Sequence, residues 1–163
     1  MKVKSVLIII SLSIASGLGA GIAAAAGDPP APPPDDKKKD AVLERYSAAS
    51  AKQDWPAAAA VLQEGVKQSP GNADYHNLLA YSLRKGPNPD MSLVFKHYNE
   101  ALRIDPKHKG AHEYLGEAYL MVGNLPKARE HLAQLDKLCF FGCSEYSDLK
   151  KAIAAHEAKV AKQ

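Results

Sequence analysis

The sequence predicts an all-α fold of about three stacked helix-turn-helix units closed by a C-terminal capping helix. Three observations predict it. From about residue 39 onward the chain is rich in Ala, Leu, Lys and Glu, with no alternating strand-like runs. Turn signals recur: Pro70 and Pro106 each close a helical run, as QSPGN and IDPKH, and lie 36 residues apart. Helix-start signals return in the same frame, as Asp54-Trp55-Pro56, Asp90-Met91-Ser92 and Asn124-Leu125-Pro126, at intervals of 36 and 34 residues. In each, Asp or Asn is suited to accept from the free amides of the first turn, and Pro suits the first helical position. A unit of about 34 residues is therefore repeated, with a two-residue insertion in the middle copy.

Taken in order, residues 1–26 read as an address rather than as fold. Met1-Lys2-Val3-Lys4 is followed by the apolar core Val6 to Ile14 and a small-residue run ending Ala23-Ala24-Ala25-Ala26. A short positive region, an apolar core and an Ala-x-Ala end make a secretory signal peptide. The competing expectation is an uncleaved anchor, because Val6 to Ala26 is 21 residues without a charge. Six of those 21 are Ser or Gly, which favours cleavage. The expected location is periplasmic or secreted, with membrane contact only through an uncleaved N-terminus. Residues 27–40 are a linker: DPPAPPPDDKKKD holds five prolines that favour extended polyproline geometry.

The repeats then run over about 39–72, 73–108 and 109–142. The third has Leu115-Gly116, Tyr119 and Gly123, then Ala128. The second has Leu79-Ala80 and Leu83, then Val94, Tyr98, Ala101 and Pro106. The first is worn in its first helix but keeps Ala58, Leu62 and Pro70, with Gly65 where Ala is usual. On these residues the chain resembles the tetratricopeptide repeat family over residues 39–142. The resemblance implies a right-handed superhelix, an α-solenoid. The physics agrees independently of the name: small residues let helices approach closely, Leu and Tyr fill the space between them, and about three copies are needed to make a continuous core. Residues 144–163 carry Tyr146, Leu149, Ile153 and Val160 at helical spacing with lysines between them, as a capping helix requires. Ser144 is the expected N-cap of that helix.

The resemblance also implies a concave face built from the first helix of each repeat. Position by position it carries Asn77, Tyr81, Arg84 and Lys85 from the second copy, and Glu113, Glu117, Leu120 and Met121 from the third. Asn would hold a peptide backbone, Arg or Lys would grip a carboxylate, and the Glu pair would suit a Lys or Arg. The family's clamp for C-terminal carboxylates is present only in fragments, and Glu113 and Glu117 would oppose it.

Cys139 and Cys143, in Cys139-Phe140-Phe141-Gly142-Cys143, are expected to form a structural disulfide in an oxidising compartment, because Gly142 breaks the helix. The alternatives are packed thiols or a redox or Cu(I) role. Phe140 and Phe141 are expected to anchor the cap helix. The six histidines read as scattered, and no zinc-protease pattern, phosphate-cradling loop or nucleophilic triad stands out.

Composition excludes more than it identifies. The chain has 163 residues, 46% hydrophobic, 24% charged, with a net charge of +3. Removing Lys2 and Lys4 leaves 19 Lys+Arg against 18 Asp+Glu, or +1. No concentrated basic face for nucleic acid is indicated. The expectation is a non-enzymatic scaffold of the cell envelope without cofactor, binding another protein or peptide in its groove. A redox or copper-handling protein acting through the cysteine pair is the alternative, and self-association is a further reading.

Overall fold

A computed structural model describes residues 40–162. The expected signal segment and all of the linker but Asp40 lie outside the described residues. Within these, seven helices follow one another: α1 (Ala41–Ala51), α2 (Trp55–Gln68), α3 (Ala73–Lys85), α4 (Met91–Ile104), α5 (Lys109–Met121), α6 (Leu125–Leu138) and α7 (Ser144–Val160). No helix among the described residues is long and apolar enough to cross a membrane.

The helix starts follow the local chemistry of the chain. Asp54 accepts from the Ala57 amide at 3.1 Å, Asp90 from Ser92 at 2.9 Å and Asn124 from Lys127 at 3.2 Å. Each satisfies amides that the first turn leaves free. Pro56 and Pro126 stand one residue inside α2 and α6, where no intrahelical donor is missed. Two inner helices are capped by Asn72 and, unusually, by His108, whose Nδ1 accepts from the Ala111 amide at 3.1 Å. The last helix departs from expectation: Ser144 is already helical, and its hydroxyl reaches Glu145 Oε2 at 3.2 Å. Cys143, extended and without a side-chain cap bond, is the N-cap.

Packing follows chain order. Each helix packs on its successor, and the first helices also meet directly, α3 on α5 and α5 on α7. Three apolar clusters result, centred on Leu62 and Leu79, on Tyr98 and Leu115, and on Leu135 and Leu149. Each of these leucines is almost fully withdrawn from water, worth roughly 2 kcal/mol apiece. The worn first helix does form, and its Val42, Leu43 and Tyr46 pack half-buried on the first cluster. Its N-cap Asp40 also accepts from the Tyr75 hydroxyl at 2.6 Å, tying α1 to α3.

The capping helix docks through Leu149 and Ile153, while Val160 is exposed. A Cβ on Gly116 would lie 2.6 Å from Leu149 Cδ2, so glycine is what lets α7 approach α5 this closely. The expectation that Phe140 and Phe141 anchor α7 is wrong. They are 87% and 97% exposed, packed only edge-to-face on each other. Gly142, at φ +84°, reverses the chain so quickly that the two rings point away from the cluster that Leu135, Cys139 and Leu149 already fill.

Four of the six histidines form two repeated devices that hold the helix pairs together. His76 of α3 meets His97 of α4, Nδ1 to Nδ1 at 3.0 Å, and its Nε2 faces the Pro70 carbonyl at 3.1 Å. His112 of α5 meets His131 of α6 at the same 3.0 Å, with Nε2 3.1 Å from the Pro106 carbonyl. A carbonyl only accepts, so Nε2–H of His76 and of His112 must donate. In the neutral rings their Nδ1 atoms then accept from Nδ1–H of His97 and His131.

Candidate interaction groove

The first helices of successive repeats bring one face of α3, one face of α5 and the middle of α7 around an open cavity of about 500 Å³. Five of the eight expected groove residues line it: Tyr81, Arg84 and Lys85 from α3, and Glu113 and Glu117 from α5. The other three do not. Asn77 is only 4% exposed, and its Oδ1 is buried without a hydrogen-bond partner. Leu120 belongs to the apolar cluster under the cap helix. Met121 lies at the exposed end of α5, where its Sδ is 4.0 Å from an Arg84 nitrogen. Tyr114, and Asp148, Lys151, Ala152 and Ala155 of α7, line the cavity and were not anticipated.

Arg84 organises the floor. Its side chain is 8% exposed, donating to Glu117 Oε2 at 2.7 Å and to the Tyr98 hydroxyl at 3.3 Å. The guanidinium also sits 5.5 Å from the Tyr81 ring centroid and 5.8 Å from that of Tyr114. The two tyrosine rings pack at 4.8 Å, and Trp55 meets Tyr81 edge-on at 5.6 Å. Burial raises the phenol pKa of both tyrosines, that of Tyr114 to about 12, so they stay neutral. The expectation that Arg84 grips a partner's carboxylate therefore meets a guanidinium already engaged with Tyr98 and Glu117. Lys85, at the rim, rests its ammonium 5.8 Å from the Trp55 ring.

Glu113 is the anomaly. It is 8% exposed and lines the cavity, and no hydrogen bond or ion pair of its carboxyl appears among the described residues. Burial first, then the charges of Glu117, Asp148 and Glu145, push its pKa up to about 7.

Cys139 and Cys143 are joined as a disulfide, with Cα atoms 5.5 Å apart. In that state neither sulfur is a thiolate ligand for a metal. Among the described residues no group of three or more His, Cys, Asp or Glu is placed to hold a metal ion.

Two tetratricopeptide-repeat profiles match the chain, over residues 43–91 and 97–130. The chain is a tetratricopeptide-repeat protein. The chain is 36% identical over 84 residues to the inactive TPR repeat-containing thioredoxin TTL3 of Arabidopsis thaliana, a match covering 51% of this chain and 11% of that protein. In three dimensions the repeat domain resembles the TPR2B domain of yeast Sti1, solved as a pHsp70 complex, with a TM-score of 0.65 at 19% identity. That match covers 72% of this chain and 94% of the other. It also resembles the type III secretion chaperone SycD of Yersinia enterocolitica, solved with a peptide of the translocator YopD (TM-score 0.60, 18% identity, 79% and 100% covered). At these identities the likeness establishes the repeat solenoid, in agreement with the expected fold.

Proposed function

We propose that this tetratricopeptide-repeat protein is a non-enzymatic adaptor of the cell envelope that holds a segment of another protein in the groove between α3, α5 and α7. The observation that carries the reading is the open 500 Å³ cavity on the face of the first helices, walled by paired tyrosines and rimmed by Lys85 and Lys151. Rigid aromatic walls with a polar rim suit capture of an extended chain. Two of the structurally similar repeat domains were solved with a partner peptide or in a partner complex, which supports a protein or peptide partner for this chain. Placement in the cell envelope rests on the N-terminal sequence. It is also supported by the Cys139–Cys143 disulfide, a bond that persists in oxidising compartments.

The test is site-specific photo-crosslinking in the native cell, with the photoreactive residue at Lys85 or Lys151 in the groove and at Lys96, exposed on α4. A discrete adduct from the groove positions alone is expected, lost on Tyr81→Ala/Tyr114→Ala replacement of the paired aromatic walls. Equal adducts from Lys96 would refute the reading.

A further inference from the structure

Charge in the groove is unevenly committed. Arg84 is buried and engaged by Tyr98 and Glu117. Glu113 is equally buried and engages nothing: no donor reaches its carboxyl among the described residues. Yet its oxygens are not sealed off, since among the described residues the one buried side-chain polar atom lacking both partner and solvent is Asn77 Oδ1. The Glu113 carboxyl therefore opens on the cavity it lines. The charges felt there are predominantly of its own sign, from Glu117, Asp148 and Glu145, and Arg84 offsets them least. A buried carboxylate without a donor is costly, and the cost is removed by a cation that enters from the cavity.

We infer that the groove selects a basic partner: a lysine or arginine side chain of the bound segment places its cationic head at Glu113, between Glu117 and Asp148, with its apolar stem along the Tyr81 and Tyr114 rings. The inference rests on the groove being the docking surface. A long aliphatic stem ending in a cation suits these walls, because its methylenes pack on aromatic surface while its charged head reaches the carboxylates. Ala152 and Ala155 of α7 leave the opposite wall open to it.

Such binding carries a proton signature. The Glu113 carboxyl, with its pKa near 7, must release its proton to solvent before it holds an ammonium or guanidinium. Lysine and arginine stay charged well above that pH. About one-eleventh of Glu113 is ionised at pH 6 and ten-elevenths at pH 8, so affinity is expected to rise about tenfold over that interval. The groups facing Glu113 from α3 are Tyr81, Arg84 and Lys85, and from its own helix Tyr114 and Glu117. From α7 they are Glu145, Asp148 and Lys151, while Tyr46 of α1 faces the two tyrosines. None is a histidine.

The experiment screens the full-length protein against an array of acetylated, amidated nonapeptides of random sequence. The best binders are then resynthesised with each Lys or Arg replaced by norleucine and titrated calorimetrically at pH 6 and pH 8. The expected result is enrichment of Lys or Arg, a loss of tenfold or more on norleucine replacement, and a pH effect abolished by Glu113→Gln. Asp148→Asn, a solvent-exposed position at the groove edge of α7, is expected to weaken the same peptides several-fold with the fold undisturbed. Binders that Tyr81→Ala/Tyr114→Ala releases but that are indifferent to norleucine and to pH would overturn this inference and leave the groove as the docking surface. Absence of any binder sensitive to groove substitutions would overturn both.

Discussion

The paired histidines make the fold sensitive to acid, and His131 is where the effect is largest. Burial first, then the charge of His112, pushes its pKa from 6.5 down to about 4. Burial lowers His97 and His112 as well. The unfolded chain takes up a proton at His131 near pH 6.5, and the folded chain refuses it until about pH 4. Stability contributed by the neutral ring is therefore complete above pH 6.5, is lost progressively as pH falls toward 4, and changes no further below that. The full displacement corresponds to ~3 kcal/mol. The ring is only half-buried, so solvent screening leaves about 2 kcal/mol between pH 7.5 and 4.5. The assay is urea unfolding followed by far-ultraviolet circular dichroism at both pH values, on the natural protein and on His131→Phe. Phenylalanine keeps an aromatic ring against Tyr119, which stacks on His131 at 5.6 Å, but cannot titrate. His131→Phe also orphans His112 Nδ1 and so is less stable at pH 7.5. The diagnostic quantity is the drop between the two pH values, expected to be smaller in the variant by about 2 kcal/mol. An equal drop in both proteins would refute the reasoning.

Three further outcomes follow from contacts of single residues. Gly116→Ala places a methyl 2.6 Å from Leu149 Cδ2 and is expected to destabilise by about 1–3 kcal/mol, less ~1 kcal/mol of improved helix propensity. Combined with Leu149→Ala, whose space the new methyl partly fills, the loss measured by urea denaturation should fall short of the sum of the singles by at least ~0.5 kcal/mol. Gln53, between α1 and α2, holds φ +56°, the conformation that glycine supplies at Gly123 between α5 and α6. Gln53→Gly should therefore raise the urea midpoint, by up to ~1 kcal/mol of stability. Cys139→Ala/Cys143→Ala removes a small covalent loop and should cost ~2 kcal/mol by the chain-entropy relation, read as a lower melting temperature that added reductant no longer changes.

What was legible in the sequence was local or periodic. Asp54, Asp90 and Asn124 announce helix starts because a cap bond spans only two or three residues. The repeat interval then orders the helices without knowledge of any single contact. Rotation of a helix about its own axis is harder to read. The cap helix carries apolar residues at helical spacing, but which charged side chains turn toward the groove depends on how Leu149 settles over Gly116, 33 residues earlier in the chain. Asp148 and Lys151 were missed for that reason. The histidine pairs did leave a signal. His76 and His112 are 36 residues apart and His97 and His131 are 34 apart, the intervals of the repeat itself, so reading histidines in the repeat frame would have found them. Phe140 and Phe141 failed for the opposite reason: apolarity favours burial, but a turn of five residues offers them no site.

The groove is completed by the capping helix rather than merely terminated by it. Asp148 and Lys151 reach the cavity only because α7 packs on α5 as the next repeat's first helix would, through Leu149 over Gly116. Solubility requires a polar outer face on that helix, and the proposed partner selection draws on charges at the edge of its inner face. Stability and the proposed recognition then share one contact. A substitution that lifts α7 by even an ångström separates Asp148 from Glu113, relieves the like charge there and lowers the Glu113 pKa, weakening the preference for a cation without touching a groove residue. On this argument Gly116→Ala should flatten the pH dependence of peptide affinity as well as lower stability. Gln53→Gly, at the far end of the stack, should alter stability alone.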